Sequence, residues 1–285
     1  MNIRPRIHWR LGVLAIILTI SFQVRFSQAQ LESIRVIPDV VYGHKDGMAL
    51  TFDVFQPKQN ANGMGVLFMV SGGWVSSWTE PKQILPMFKH LLDRGYTVLA
   101  VRHGSSPRYV VPECVGDVQL ALSFIAKHST DWQIDPKKLG VFGYSAGGHL
   151  SLMLGTVGGA KQGSDEVARV AAVVAVFPPT DLAPYVAPES PRREQFPALK
   201  FDPKRAEAVS PLMQVTADDA PTLLYHGDQD ELVPLWHSEK IQKAFESAKV
   251  DNKLVVIPGA AHGFDQEGNR RLAKDMADWF DKYLR

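Results

Sequence analysis

The sequence predicts an α/β fold: a mostly parallel central sheet with helices on both faces and a short cap-like insertion. Three observations predict it. From Gln30 onward, short β-rich runs alternate with stretches of helical apolar spacing. The runs are apolar almost throughout rather than on alternate residues, which is how strands buried on both faces read. Hydrophobic residues make up 45% of the 285 and charged residues 21%, enough apolar material to fill one large core.

Taken in order, Ile34 to Tyr42 and Ala49 to Phe55 flank the polar turn His44-Lys45-Asp46-Gly47 and read as a hairpin at one sheet edge. Val66 to Val70 is a short apolar strand. An amphipathic helix with Ile84, Phe88, Leu91 and Leu92 inward follows, stopped by Gly95. Tyr96 to Val101 is the next strand. The helix after it carries Cys114, Val118, Ala121, Leu122 and Ile125 on one face, which buries the chain's one cysteine as an inert core residue. Leu139 to Tyr144, Val170 to Phe177, Thr222 to Tyr225 and Leu254 to Ile257 complete the strands. Ile241/Ala244/Phe245/Ala248 and Leu272/Met276/Trp279/Phe280/Tyr283 mark the last two helices. Asp181 to Pro211 breaks this rhythm, being rich in proline and charge. So short a segment cannot build its own core, so it reads as an insertion over one end of the sheet.

The first residues stand apart from this domain, which spans residues 30–285. Arg4, Arg6 and Arg10 precede the apolar run Leu11 to Phe22, and small residues follow at Ser27 and Ala29. That pattern predicts a signal peptide over residues 1–29, cut before Gln30, and a secreted or periplasmic product without a stable membrane anchor. An uncleaved anchor is the alternative, although the run falls short of the roughly 20 apolar residues of an ordinary spanning helix. The segment holds four arginines and no acids, so cleavage takes 31 bases to 27 against 30 acids and the charge from +1 to −3. A weakly acidic chain without a basic stripe excludes nucleic acid as an expected partner.

The chemistry concentrates in Leu139-Gly-Val-Phe-Gly-Tyr-Ser-Ala-Gly-Gly-His149. Gly143, Ser145 and Gly147 form G-x-S-x-G directly after a strand and directly before a helix. A turn that sharp exposes the Ser145 hydroxyl over a helix N-terminus, where the dipole favours negative charge. A serine nucleophile needs a base, and the base an orienting acid. His262 lies in the loop Pro258-Gly-Ala-Ala-His-Gly-Phe264 after the last strand. Asp228, Asp230 and Glu231 lie in His226-Gly-Asp-Gln-Asp-Glu-Leu-Val-Pro234 after the strand before it. Nucleophile, acid and base thus follow in that order, each on a loop after a strand. Spacing alone leaves the choice among the three acids open. Val70-Ser-Gly-Gly-Trp74 follows a strand too, and the amides of Gly72, Gly73 and Ala146 are the expected oxyanion donors. His149 is expected to hold the nucleophile helix against neighbouring loops, His226 to be structural, and His103 to stand as an outside candidate for the pocket wall. No His/Asp/Glu cluster has metal-ligand spacing, and no cofactor is expected.

These residues resemble the α/β-hydrolase esterases of the carboxylesterase and feruloyl-esterase-like (BD-FAE-like) group, related to hormone-sensitive-lipase-type enzymes. The resemblance runs from about Val41 to the C-terminus. It rests on Gly143-Tyr-Ser-Ala-Gly-Gly-His149, His226-Gly-Asp-Gln-Asp-Glu-Leu-Val-Pro234 and His262-Gly-Phe264, with Asp117 and Ile134-Asp-Pro136 in accord. It implies the α/β-hydrolase fold, a nucleophile at Ser145, a base at His262 and, in register with Val233-Pro234, the acid at Asp230. The group's oxyanion loop usually reads His-Gly-Gly-Gly-Trp. Aligned on Trp74, this chain has Val70 at the histidine and Ser71 at the first glycine, so a polar residue that helps fix the loop is gone.

The resemblance implies a cofactor-independent serine hydrolase that cleaves carboxylic esters through an acyl-enzyme, acting on a small-molecule or carbohydrate ester, and the N-terminal segment adds the expectation of export. Trp74, Trp78 and Trp236 are candidates for stacking on a sugar or aromatic acid, or else for covering core edges. A small serine peptidase of the prolyl-oligopeptidase type is the rival reading, and faster turnover of aminoacyl amides than of esters distinguishes it. A non-catalytic binding protein on the same fold is the third, marked by failure to react with a fluorophosphonate.

Overall fold

The computed structural model describes residues 32–160 and 167–285, so the predicted signal peptide lies outside the described residues. The strands are β1 (Ile34–Lys45), β2 (Met48–Pro57), β3 (Gly65–Met69), β4 (Thr97–Val101), β5 (Leu139–Tyr144), β6 (Ala172–Val176), β7 (Thr222–Gly227) and β8 (Asn252–Ile257). They form one sheet in the order β1-β2-β4-β3-β5-β6-β7-β8. β1 pairs antiparallel with β2, and β2 antiparallel with β4; the remaining pairings are parallel. The opening hairpin is therefore the antiparallel edge, as expected. Both of its strands run further into the turn than their apolar residues do, with Lys45 opposite Met48. Polar side chains there mark exposure, while the main-chain ladder continues regardless.

Alternation along the strands divides the apolar residues between two cores. Leu67, Leu99 and Val141 face α1 (Val111–Lys127), α2 (Ala146–Thr156) and α3 (Trp236–Ala248) through Val118, Leu150 and Ile241. Phe68, Phe142 and Tyr225 face α4 (Gln266–Leu284) through Met276 and Phe280. Cys114 packs in the first core, fully buried, and that burial pushes its thiol up to about 12, so it stays protonated and inert.

One expectation about helices is corrected. The amphipathic stretch from Ile84 to Leu92 is three short pieces: helical turns at Pro81–Ile84 and Lys89–Leu92 with a 3-10 turn at Leu85–Phe88 between them. Pro86 lacks the amide that a continuous helix needs there. Its apolar face is nevertheless in the second core, through Leu85, Phe88, Leu91 and Leu92. The segment expected as an insertion, Asp181 to Pro211, holds short helical turns, and the turn that begins at Pro211 runs to Gln214. Pro191, Pro197, Pro203 and Pro211 each start a new turn. Proline fits a first helical position and disrupts the interior, so this spacing yields many short turns and no long helix.

Candidate active site

β5 ends at Tyr144 and α2 begins at Ala146, leaving Ser145 alone to reverse the chain. Its backbone has φ 52° and ψ −120°, a strained conformation for a residue with a side chain. The turn closes so tightly that a Cβ on Gly143 would lie 2.4 Å from the carbonyl of Gly147, and one on Gly147 would lie 2.6 Å from the carbonyl oxygen of Met69. Both glycines of the motif are thus required by close approach. The Ser145 amide donates to the carbonyl of Val176 at 2.8 Å, tying the elbow to β6. The side chain stays partly exposed at the N-terminus of α2.

His262, from the loop after β8, brings Nε2 to 2.9 Å from Ser145 Oγ and Nδ1 to 2.6 Å from Asp230 Oδ2. These partners assign the tautomer: Nδ1–H donates to the carboxylate, and Nε2 accepts the serine hydroxyl. Phe177 packs on the imidazole with ring centroids 4.3 Å apart. Phe177 itself has φ 39°, so the chain bends immediately after β6, beneath the base.

Of the three acids in the loop, Asp230 is the one that meets His262. It is buried, whereas Asp228 and Glu231 are exposed. Its Oδ1 accepts the amides of Leu232 and Val233 at 3.0 and 2.9 Å. Burial alone would raise its pKa, but hydrogen bonds from His226 and His262 and from the Val233 amide outweigh it and hold the carboxyl well below the usual range. Asp228 instead accepts the amide of Gly259 at 2.7 Å and braces the base loop.

His226 is a strand residue, since β7 runs on to Gly227. Nε2–H donates to the Val233 carbonyl at 2.7 Å and lies 3.4 Å from Asp230 Oδ2, while Nδ1 accepts the Ser238 hydroxyl at 2.7 Å. It is structural, as expected, but its structural task is the acid loop itself. His149 donates from Nε2 to the carbonyl of Val209 at 2.7 Å and accepts Trp74 Nε1–H at Nδ1, 3.3 Å away. It ties α2 to Val209 and to Trp74 of the loop after β3. His103 does not line a pocket wall: it is buried under that loop, its Nε2 2.9 Å from Ser71 Oγ.

The loop expected to supply the oxyanion donors, Val70 to Trp74, is a two-residue hairpin, with reciprocal bonds between Gly72 and Val75 and positive φ at both Gly73 and Trp74. This corrects one expectation. The Gly72 amide donates to the Val75 carbonyl at 3.0 Å, so it is engaged in closing the hairpin. Gly73 and Ala146 are the two expected donors whose amides have no backbone acceptor among the described residues. Phe196 of the insertion packs on Trp74 with centroids 6.3 Å apart, and a Cβ on Gly73 would meet it at 2.9 Å. Trp74 is buried, whereas Trp78 is 58% exposed beside the hairpin and Trp236 stacks on His237.

A family model for BD-FAE matches residues 52–245. The chain belongs to the BD-FAE family. The matched span holds Ser145 and Asp230 and ends before His262. BD-FAE membership agrees with relatives that are named as ester hydrolases. The chain is 27% identical over 251 residues to the probable carboxylic ester hydrolase LipM of Mycobacterium tuberculosis, covering 82% of this chain and 58% of LipM. It is 27% identical over 256 residues to an ethyl acetate hydrolase of Pseudomonas putida, covering 82% and 77%. The chain spans about 60% of the length of its mycobacterial relatives. Among solved structures, a truncated carbohydrate esterase from gut microbiota superimposes with TM-score 0.70 at 25% identity, covering 87% of this chain and 95% of the other. Thermogutta terrifontis esterase 2 phosphoramylated by tabun gives TM-score 0.70 at 25% identity, covering 87% and 93%. The α/β-hydrolase fold of this BD-FAE protein follows from its sheet order and from these likenesses.

Proposed function

We propose that the protein is an exported serine hydrolase that cleaves carboxylic esters through an acyl-enzyme on Ser145. The observation that carries this reading is the unbroken hydrogen-bonded chain from Ser145 Oγ through His262 to Asp230. As Oγ attacks the ester carbonyl carbon, its proton passes to His262 Nε2, and the charged imidazole is stabilised by Asp230. The carbonyl oxygen becomes an oxyanion held by the amides of Gly73 and Ala146 at the positive end of α2. Collapse of the tetrahedral intermediate expels the alcohol, which takes the proton back from His262. Water, deprotonated by the same nitrogen, then releases the acid and restores Ser145. No cofactor enters this cycle.

Export is supported by the arginine-led apolar segment and the small residues at Ser27 and Ala29. A carbohydrate or small aromatic ester is the proposed substrate, supported by the exposed Trp78 beside the oxyanion hairpin and by the carbohydrate esterase among the structural relatives. A panel of nitrophenyl esters, acetylated xylan and methyl ferulate tests the reading, with Ser145→Ala beside the wild type. Ester turnover in the wild type and its loss by several orders of magnitude in the variant is the expected result. Turnover of aminoacyl amides ahead of every ester would replace it with the peptidase reading.

A further inference from the structure

We propose that His103 is a positioning residue that latches the oxyanion hairpin through Ser71, replacing the polar residue that the loop lacks at Val70. The proposal rests on the ester-hydrolase reading and extends it to a residue outside the triad.

The near end of the hairpin is tied at one side chain. Ser71 Oγ lies 2.9 Å from His103 Nε2, and His103 Nδ1 lies 2.8 Å from the Gly104 carbonyl. The carbonyl accepts only from N–H, so Nδ1 carries the proton and Nε2 must accept the Ser71 hydroxyl. The Gly104 peptide is itself fixed from both sides: its amide donates to Asp117 Oδ2 at 2.9 Å, and its carbonyl also accepts Cys114 Sγ–H at 3.3 Å. Asp117 is anchored in turn by Lys45 at 2.9 Å. His103 is thus a rigid bridge from α1 to Ser71.

Ser71 is also where movement would matter. Its carbonyl oxygen lies 3.4 Å from the position of a Cβ on Gly147, against the start of the nucleophile helix. The far end of the hairpin is held separately, by Trp74 on His149 and by the Ser106 amide on the Trp74 carbonyl at 3.1 Å. Gly73, whose amide the proposed function assigns to the oxyanion, sits between the two ties. Release of the near tie leaves the triad intact and lets that amide drift. Removing an oxyanion donor outright costs about 10² to 10³ in kcat, so misplacing one should cost part of that.

The test compares Ser71→Ala, His103→Asn, His103→Gln and the Ser71→Ala/His103→Asn double variant on nitrophenyl acetate. The amide of Asn matches the Nδ1 position and reaches only Gly104, whereas the amide of Gln matches Nε2 and still reaches Ser71. Ser71→Ala and His103→Asn should each lower kcat roughly 10- to 100-fold with KM within about threefold. The double variant should lose no more than either single, and His103→Gln should stay within about threefold of wild type. The inhibition constant of a trifluoromethyl ketone, which forms the tetrahedral adduct, should rise in step with the loss of kcat/KM. Ser71→Ala removes one oxygen from a partly exposed residue and keeps the test valid if a His103 variant does not fold. A dead Ser145→Ala beside a Ser71→Ala within about twofold of wild type overturns the latch alone. Losses that multiply in the double variant also overturn it. Full turnover in Ser145→Ala overturns the hydrolase reading and the latch together.

Discussion

Asp230 accepts two loop amides on one carboxylate oxygen and His262 on the other, with His226 Nε2 3.4 Å from that second oxygen. A carboxylate so held keeps its charge and direction while the imidazole it faces gains and loses a proton. Asp230→Asn should therefore lower kcat by up to roughly 10⁴-fold with little change in KM, because the imidazole loses its tautomer and its charge partner. Asp228→Asn should cost less than about tenfold, since its contact is to the Gly259 amide of the base loop. Steady-state kinetics on one ester decide this, and the opposite ranking would sink the assignment of the acid. That Ser145 and His262 meet was legible in the sequence because each follows a strand and the glycines around Ser145 are dictated by close approach. From spacing the acid was legible only as a set of three neighbours; the resemblance put it at Asp230, and Asp230 is the buried one that meets His262, while Asp228 and Glu231 are exposed. Gly72 misled because a GG pair after a strand signals a tight turn without saying which amide closes it. His103 was missed as a partner of Ser71 because the two are far apart in the chain and only the parallel pairing of β3 with β4 brings their loops together.

At the scale of elements, the strands were readable because those buried on both faces leave continuous apolar runs. The segments with proline were read less well. Pro86 divided a stretch whose apolar spacing is helical, and the insertion was visible only as a break in rhythm, its turns being set by successive prolines. That segment contacts the site's surroundings through Phe196, which lies on Trp74 and Gly73, through Arg192 Nη2, which donates to the carbonyl of Glu231 at 3.0 Å, and through the Val209 carbonyl on His149. Replacing Glu189 to Gln195 with a short glycine-serine link should shift the ratio of rates between acetyl and longer acyl esters by about fivefold or more, through the one-sided loss of pocket contacts. These residues are largely exposed, so the thermal midpoint should fall only modestly. A uniform loss across an ester series, with the fold intact, would contradict a part in specificity.

The whole molecule carries buried histidines that folding keeps neutral. Burial pushes His103 and His149 down to about 4 and His237 to about 3, against about 6.5 for the unfolded chain. Between those values the unfolded state binds more protons than the native state, so stability rises with pH there and falls as pH drops below about 6.5. Each histidine contributes up to roughly 1 kcal/mol per pH unit, large beside a total of about 5–15 kcal/mol for a typical domain. Asp230, whose pKa is depressed, adds a further loss once pH falls below about 4. The thermal midpoint should be level from about pH 8 to about 7 and drop steadily towards about 5; a midpoint unchanged across that range would contradict the neutral burial of these residues. The central claim, that one serine of this protein is the activated nucleophile, is tested most directly by intact-mass analysis after reaction with a fluorophosphonate, followed by peptide mapping. A single adduct on Ser145, abolished in Ser145→Ala and in the unfolded chain, is the outcome the hydrogen-bonded chain to His262 and Asp230 predicts; an unmodified folded protein, or an adduct on another residue, would contradict it.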